Sequence, residues 1–194
     1  MLTINDKTKE LILEFEGKNQ PGRWPGGNSG ITIGVGYDLG QVTADQFEAD
    51  WGPHLSGDAL NRLKTALGKC GEAAKECAPQ FSDIHIGSED AERVFENCTL
   101  PLYAQRAEKA LPGVTDLPAD VQGALLSLVY NRGTSMEGDR RTEMRAIRDA
   151  VQTRNLQEIA NQLRSMKRLW AGQGMDGLIR RREAEAELVE SAIG

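Results

Sequence analysis

The spacing of apolar positions changes character twice along the chain. Over residues 5–16, Leu11, Ile12 and Phe15 share one stripe of a helix that Asn5 or Asp6 can cap, and Gly17 offers its stop. Residues 18–40 lose that period. Pro21, Gly22, Pro25, Gly26, Gly27, Gly30, Gly34, Gly36 and Gly40 punctuate two β-prone pieces, Ile31-Thr32-Ile33 and Val35-Gly36-Tyr37, as in a hairpin or small sheet. Helical spacing then returns. Thr43 opens a helix to about Trp51, Ser56 or Asp58 opens another to Leu67, and Ser88-Glu89-Asp90-Ala91 starts a longer one that Pro101 interrupts or kinks. After Leu117-Pro118, the residues Val121, Ala124, Leu125, Leu126, Leu128, Val129 and Tyr130 cover nearly every helical face, which predicts a helix buried all round. Helices near 139–152, 155–167 and 176–191 pack around that rod. The expected fold is α+β and mostly helical. It is a single two-lobed domain, with an N-terminal α/β lobe over about 1–55, a helical lobe over about 56–194 and a cleft between them.

Composition narrows the functional classes. A chain of 194 residues fits one domain with a sizeable core, and 39% hydrophobic with 27% charged residues is the balance of a soluble globular protein. No apolar run approaches the roughly 20 residues that span a bilayer. The start, Met1-Leu2-Thr3-Ile4-Asn5-Asp6, lacks the basic and apolar regions of a signal peptide, so a substrate outside the cytoplasm implies another delivery route. Cys70, Cys77 and Cys98 are an odd set without a Cys-x-x-Cys pair; one disulfide in an oxidising compartment and three plain thiols are both open. His54 and His85 have no spaced partner, which leaves a zinc hydrolase or a Ser-His-Asp enzyme little to stand on. No cofactor or metal is called for, and the chain is expected to act as a monomer.

The net charge of −6 conceals an asymmetry. Residues 132–182 carry 12 basic against 6 acidic groups, whereas residues 1–131 carry 11 against 19, and the tail from Glu183 adds four acids. A basic stretch in an acidic protein suits a partner with fixed negative charge, such as peptidoglycan with its lactyl-peptide carboxylates. Solvated helix faces with i,i+4 ion pairs account for the same residues individually. Nucleic acid is not expected, because the chain is acidic overall and lacks an aromatic-basic platform.

Two acids stand out. Glu16 borders the apolar stripe of the first helix, beside Phe15, and lies at a helix C-terminus, where the macrodipole disfavours negative charge. Both features suit a proton-donating acid; a surface Glu before a glycine stop is the plainer alternative. Glycosidases usually need a second carboxylate. No Asp or Glu occurs between Gly17 and Tyr37, so Asp38 is the next acid, following the glycine-rich Thr32-Ile33-Gly34-Val35-Gly36, where bare backbone permits close approach of a ligand. The Thr32 hydroxyl can hold a water. Asp38 also suits a turn in Asp38-Leu39-Gly40.

Phe15-Glu16-Gly17 followed by Gly30-Ile31-Thr32-Ile33-Gly34-Val35-Gly36-Tyr37 resembles the active-site region of phage-type lysozymes, glycoside hydrolase family 24. Leu128-Val129-Tyr130-Asn131-Arg132-Gly133 resembles the end of their central helix. Trp170 and Gly177-Leu178-Ile179-Arg180-Arg181-Arg182 resemble their C-terminal Trp and Arg-bearing helix. The resemblance covers most of the chain outside about 68–100. It implies a lysozyme-like fold and hydrolysis of the β-1,4 bond between N-acetylmuramic acid and N-acetylglucosamine. Glu16 would be the acid, with Asp38 and Thr32 positioning water or stabilising the transition state. Asn131 and Arg132 would line the cleft from the helical lobe. Tyr37 and Trp24 suit the support of sugar rings, with hairpin packing an equal alternative for Trp24. Arg180 suits either a bidentate grip on a peptide-stem carboxylate or a brace of the last helix against the hairpin, and Trp170 reads as core.

One departure refines this. Ordinary phage lysozymes place the catalytic Asp before the Thr, where this chain has Gly26; here Asp38 follows Thr32 by six residues. The order Glu, Thr, Asp resembles the pesticin-type branch of bacteriocins and secretion-effector toxin domains. That implies an antibacterial toxin acting in the periplasm of target cells, delivered by a secretion machine, import domain or holin and met by an immunity protein. The resemblance favours inversion, for which the carboxylates stand roughly 6.5–9.5 Å apart, against about 5–5.5 Å for retention. A phage endolysin, a lytic transglycosylase forming 1,6-anhydro sugars, and an inactive wall-binding module are the alternatives.

Overall fold

The computed structural model describes residues 1–16 and 22–193, so the stop at Gly17 and the punctuation at Pro21 lie outside the described residues. In chain order the elements are α1 (Asp6–Glu16), β1 (Thr32–Ile33), β2 (Tyr37–Asp38), α2 (Ala44–Trp51), α3 (Gly57–Lys64) and α4 (Glu72–Cys77). Then come α5 (Ser88–Val94), α6 (Leu100–Ala110), α7 (Ala119–Arg132), α8 (Thr142–Gln152), α9 (Leu156–Ser165) and α10 (Asp176–Glu190). The fold is mostly helical with one small antiparallel sheet, as the spacing predicts. None of the described helices is long and apolar enough to cross a membrane. All three cysteines are free.

The chain divides into two compact units, Glu16–Pro101 on the one hand and Met1–Phe15 with Leu102–Gly194 on the other. From the sequence the boundary is expected earlier, at about residue 55. The extra length has a packing reason. Trp51 at the end of α2 lies against Gly34, where a β-carbon would come within 2.8 Å of its ring. Tyr37 meets the same ring edge-on at 5.7 Å and Phe47 at 6.4 Å. Phe81 fills the space beside Gly22, where a β-carbon would come within 2.6 Å of it. A two-stranded sheet cannot bury itself; the helices from α2 to α5 complete its core.

Local signals hold in this unit. Thr43 caps α2 by accepting from the Gln46 N–H, and Ser56 caps α3 through the Ala59 N–H. The short helix α4 has no clear apolar period and is not foreseen by the spacing. Pro101 produces no break in a single long helix. A π-helical turn at Phe95–Thr99 joins α5 to α6, and Pro101 is the second residue of α6. Its missing N–H falls where the hydrogen-bond ladder already changes register.

The other unit is built on α7, whose residues from Val121 to Tyr130 are all buried. Leaving ten successive residues dry requires neighbours on every face, and α10 and α1 supply two of them. The α1 contact depends on Gly123, because a β-carbon there would lie 2.0 Å from the Thr8 hydroxyl oxygen. Asn5 caps α1 through the Thr8 N–H at 2.9 Å, and its amide donates to Asp120 at 2.7 Å. The Thr3 N–H donates to the buried Gln122 side chain, whose own amide donates to the Leu117 carbonyl. These bonds fix the axis of α1, and with it the place where the helix ends.

Candidate active site

Glu16 is the last residue of α1 and is half-buried. The helix reaches it with Leu11 and Ile12 anchored in the core and the Phe15 ring 5.8 Å from the Arg181 guanidinium. Glu16 begins the same compact unit that holds Trp24, Thr32, Tyr37 and Asp38.

The hairpin brings two of the expected residues together. Thr32 and Asp38 are direct partners across the antiparallel pair, as are Ile33 and Tyr37. Paired residues put their side chains on one face of the sheet, so Thr32 and Asp38 share a face and Tyr37 takes the other. Thr32 is mostly buried, and an isolated bridge to Arg23 pins its backbone, with N···O distances of 2.7 and 3.1 Å.

Asp38 is oriented by the backbone. Its Oδ1 accepts from the Gly40 N–H at 2.8 Å and from the Gly30 N–H at 3.0 Å. Among the described residues no hydrogen bond reaches Oδ2. The approach of Gly30 is feasible only without a side chain, since a β-carbon would lie 2.4 Å from both Asp38 Oδ1 and the Gly40 nitrogen. Burial raises the Asp38 carboxyl above its usual range, opposed by the two N–H groups. One oxygen thus serves the turn considered for Asp38, and among the described residues the other receives no hydrogen bond.

Tyr37 corrects an expectation. It is only 5% exposed, and its hydroxyl donates to Asp50 at 2.7 Å, so it belongs to the core behind the hairpin and cannot support a sugar ring. Asp50, mostly buried, also accepts from the Gln46 amide at 2.7 Å, and burial with Asp50 nearby pushes the Cys98 thiol up to about 11. The sequence reading missed Asp50; its spacing six residues after Ala44 on an amphipathic helix gives no hint of a buried acid. Trp24 is half-buried, donates its indole N–H to the Ser29 carbonyl at 3.1 Å, and has the Lys75 ammonium 5.7 Å from its ring.

The remaining expected residues lie in the other unit. Asn131 and Arg132 close α7, both half-buried, and Arg180 is exposed on α10. Trp170 is core, as expected, with Arg132 at 5.1 Å and Arg182 at 5.9 Å from its ring. What the spacing did not reveal is that the next two arginines turn inward. Arg181 and Arg182 are buried with Glu185, whose Oε1 accepts from Arg182 at 2.7 Å and from the Ser127 hydroxyl at 2.6 Å. The i,i+3 and i,i+4 offsets from these arginines to Glu185 were the available signal.

Comparison with known proteins bears on this arrangement. The phage lysozyme family model matches residues 14–185. Among solved structures, the chain is similar to the active form of the P1 phage endolysin Lyz, with a TM-score of 0.59 and 19% identity over 98% of this chain and 86% of that one. Curated protein sequences give no match. A match from two residues before Glu16 to the buried Glu185 takes in both units, and the chain belongs to the phage lysozyme family, glycoside hydrolases of the muramidase type that act on peptidoglycan.

Proposed function

We propose that the enzyme cleaves the β-1,4 bond between N-acetylmuramic acid and N-acetylglucosamine with inversion, using Glu16 as acid and Asp38 as base. The observation that carries this reading is the state of Asp38. It faces the same way as Thr32 across the hairpin, one oxygen is tied to two backbone N–H groups, and burial makes the carboxylate more basic. Glu16 gives its proton to the glycosidic oxygen as the bond to the anomeric carbon breaks. A water held by Thr32 attacks that carbon, and its proton passes to Asp38. Trp24, Asn131, Arg132 and Arg180 contact the glycan and its peptide stems.

The biological reading is an antibacterial toxin domain of the pesticin-like branch, acting in the periplasm of competitor cells and countered by an immunity protein. The order Glu16, Thr32, Asp38 supports it. A phage endolysin is the second reading, favoured by the similarity to P1 phage endolysin. Mass spectrometry of digested peptidoglycan tests the reaction: muropeptides with reducing N-acetylmuramic acid ends are expected, and 1,6-anhydro ends would mean a lytic transglycosylase. Lysis on periplasmic but not cytoplasmic expression, relieved by the product of an adjacent gene, tests the toxin role.

A further inference from the structure

Most of the basic stretch between 132 and 182 is neutralised within the fold. Arg164 and Lys167 pair with Glu183, Arg164 also with Glu190, Arg154 with Asp116, Arg168 with Glu143, and Arg182 with Glu185. Arg132, Arg140 and Arg141 differ. Among the described residues none of the three makes an ion pair with a carboxylate. Arg132 at the end of α7 donates through Nη2 to the Arg140 carbonyl at 2.6 Å, which brings the turn carrying Arg140 and Arg141 onto it. Among the described residues, the Nε of Arg132 and an Nη of Arg141 are buried without a hydrogen-bond partner.

Such an arrangement is costly in an empty fold, because buried donors normally find acceptors and like charges repel. Burial, then Arg141, Arg182 and Arg140, pull the Arg132 guanidinium down to about 10, against the opposite pull of Glu143. The acid that is near, Glu143, receives Arg168 on Oε1; among the described residues its Oε2 has no hydrogen-bond partner, and neither oxygen bonds Arg132, Arg140 or Arg141. The turn is also pre-built. Arg145 donates to the carbonyls of Met136 at 2.7 Å and Gly138 at 3.0 Å and to the Thr142 hydroxyl at 3.1 Å, while that hydroxyl donates to the Asp139 carbonyl. Two guanidinium groups on a fastened turn thus stand beside a third at the end of α7, as a ligand site requires.

We propose that Arg132, Arg140 and Arg141 form an oxyanion site that takes a carboxylate of the peptidoglycan peptide stem. The planar guanidinium fork matches a carboxylate in two parallel hydrogen bonds. A phosphate oxyanion shares that chemistry, and the choice of the stem carboxylate rests on the muramidase reading. The site gives the enzyme a grip on the stem in addition to the glycan and selects peptide-bearing wall over bare glycan.

The test follows arginine Nε–Hε signals in labelled protein at fixed ionic strength while acetate, inorganic phosphate or soluble stem-bearing muropeptides are added. Saturable shifts of Arg132 and Arg141 with acetate and with muropeptides are expected, weakened about tenfold in Arg141→Gln. No shift with any probe overturns the site, and shifts with phosphate alone overturn the carboxylate. A second arm compares intact peptidoglycan with the same glycan stripped of stems by an amidase. The Arg140→Gln/Arg141→Gln double variant should raise KM about tenfold on the first and leave the second unchanged; equal effects on both would overturn stem recognition. A wild-type enzyme inactive on both would instead sink the muramidase reading, while the binding arm still reports on the arginines.

Discussion

In the Glu16–Pro101 unit, two acids are held by neutral donors: the half-buried Asp38 by two backbone N–H groups, the buried Asp50 by the Tyr37 hydroxyl and the Gln46 amide. In the helical unit, Glu143 and Glu185 are held by arginines. A neutral donor orients a carboxylate without supplying a counter-charge; burial outweighs the two N–H bonds and raises the Asp38 carboxyl, and burial raises that of Glu185 too, despite its arginines. An arginine supplies the counter-charge and ties two elements together, at the price of a large loss if either partner is removed. Exposure separates them further. Glu185 is sealed at 0% exposure, whereas Asp38 is half-buried and, among the described residues, has one oxygen that receives no hydrogen bond. The first pattern suits a group that must exchange a proton, and the second suits a brace.

Exchanging the acids for their amides tests that division most sharply. Glu16→Gln and Asp38→Asn should each reduce the turnover of peptidoglycan by about 10²–10⁴-fold, the scale of general acid–base catalysis. Their melting temperatures should stay near that of the wild type. Full activity of Asp38→Asn in a turbidity assay would remove the base from the proposal and, with it, the pesticin-like order.

Glu185→Ala should do the reverse. Two buried guanidiniums would lose the carboxylate they share, and denaturant unfolding should show a loss of about 3–5 kcal/mol. Activity per folded molecule should remain within a few-fold, and a large drop there would mean that Glu185 is more than a brace.

Gly30→Ala probes the orientation of Asp38 without touching its charge. The added β-carbon meets Asp38 Oδ1 and the Gly40 nitrogen, so the turn must open. A stability loss of about 1–3 kcal/mol is expected from the overpacking. A fall in kcat with little change in KM should accompany it. Unchanged kcat would show that the two N–H bonds to Asp38 do not matter for catalysis.

The smallest effect is on pH dependence. Because Asp38 titrates above its usual value in the fold, the native state holds the proton more tightly than the unfolded chain does. Its contribution to stability is therefore largest below the unfolded value and declines as pH rises through the folded one. The pH-dependent part of the unfolding free energy attributable to Asp38 should vanish in Asp38→Asn. The acid limb of kcat/KM should lie above the ordinary aspartate range, since the base must be ionised. A limb at the ordinary value would contradict the burial argument.

The sequence by itself determined much of the architecture. The apolar stripe of α1, the caps at Thr43 and Ser56 and the all-round apolar surface of α7 are local or periodic features, and each appears where the spacing predicts it. So does the hairpin, because Gly34 and Gly36 can take the left-handed φ of its turn, +53° and +66°, without the steric cost of a β-carbon. The candidates Glu16, Thr32 and Asp38 were legible for a similar reason: an acid at a helix end and the lack of any other acid before Tyr37 are facts of order along the chain. Tertiary structure decided what order cannot express. Tyr37 turned inward because Phe47, Trp51 and Asp50 lie behind the hairpin, and Arg181 and Arg182 turned inward because Ser127 and Glu185 meet them between α7 and α10. The i,i+3 and i,i+4 offsets to Glu185 only hint at the second case; Asp50 and Ser127 lie on other elements, and periodicity carries no record of those.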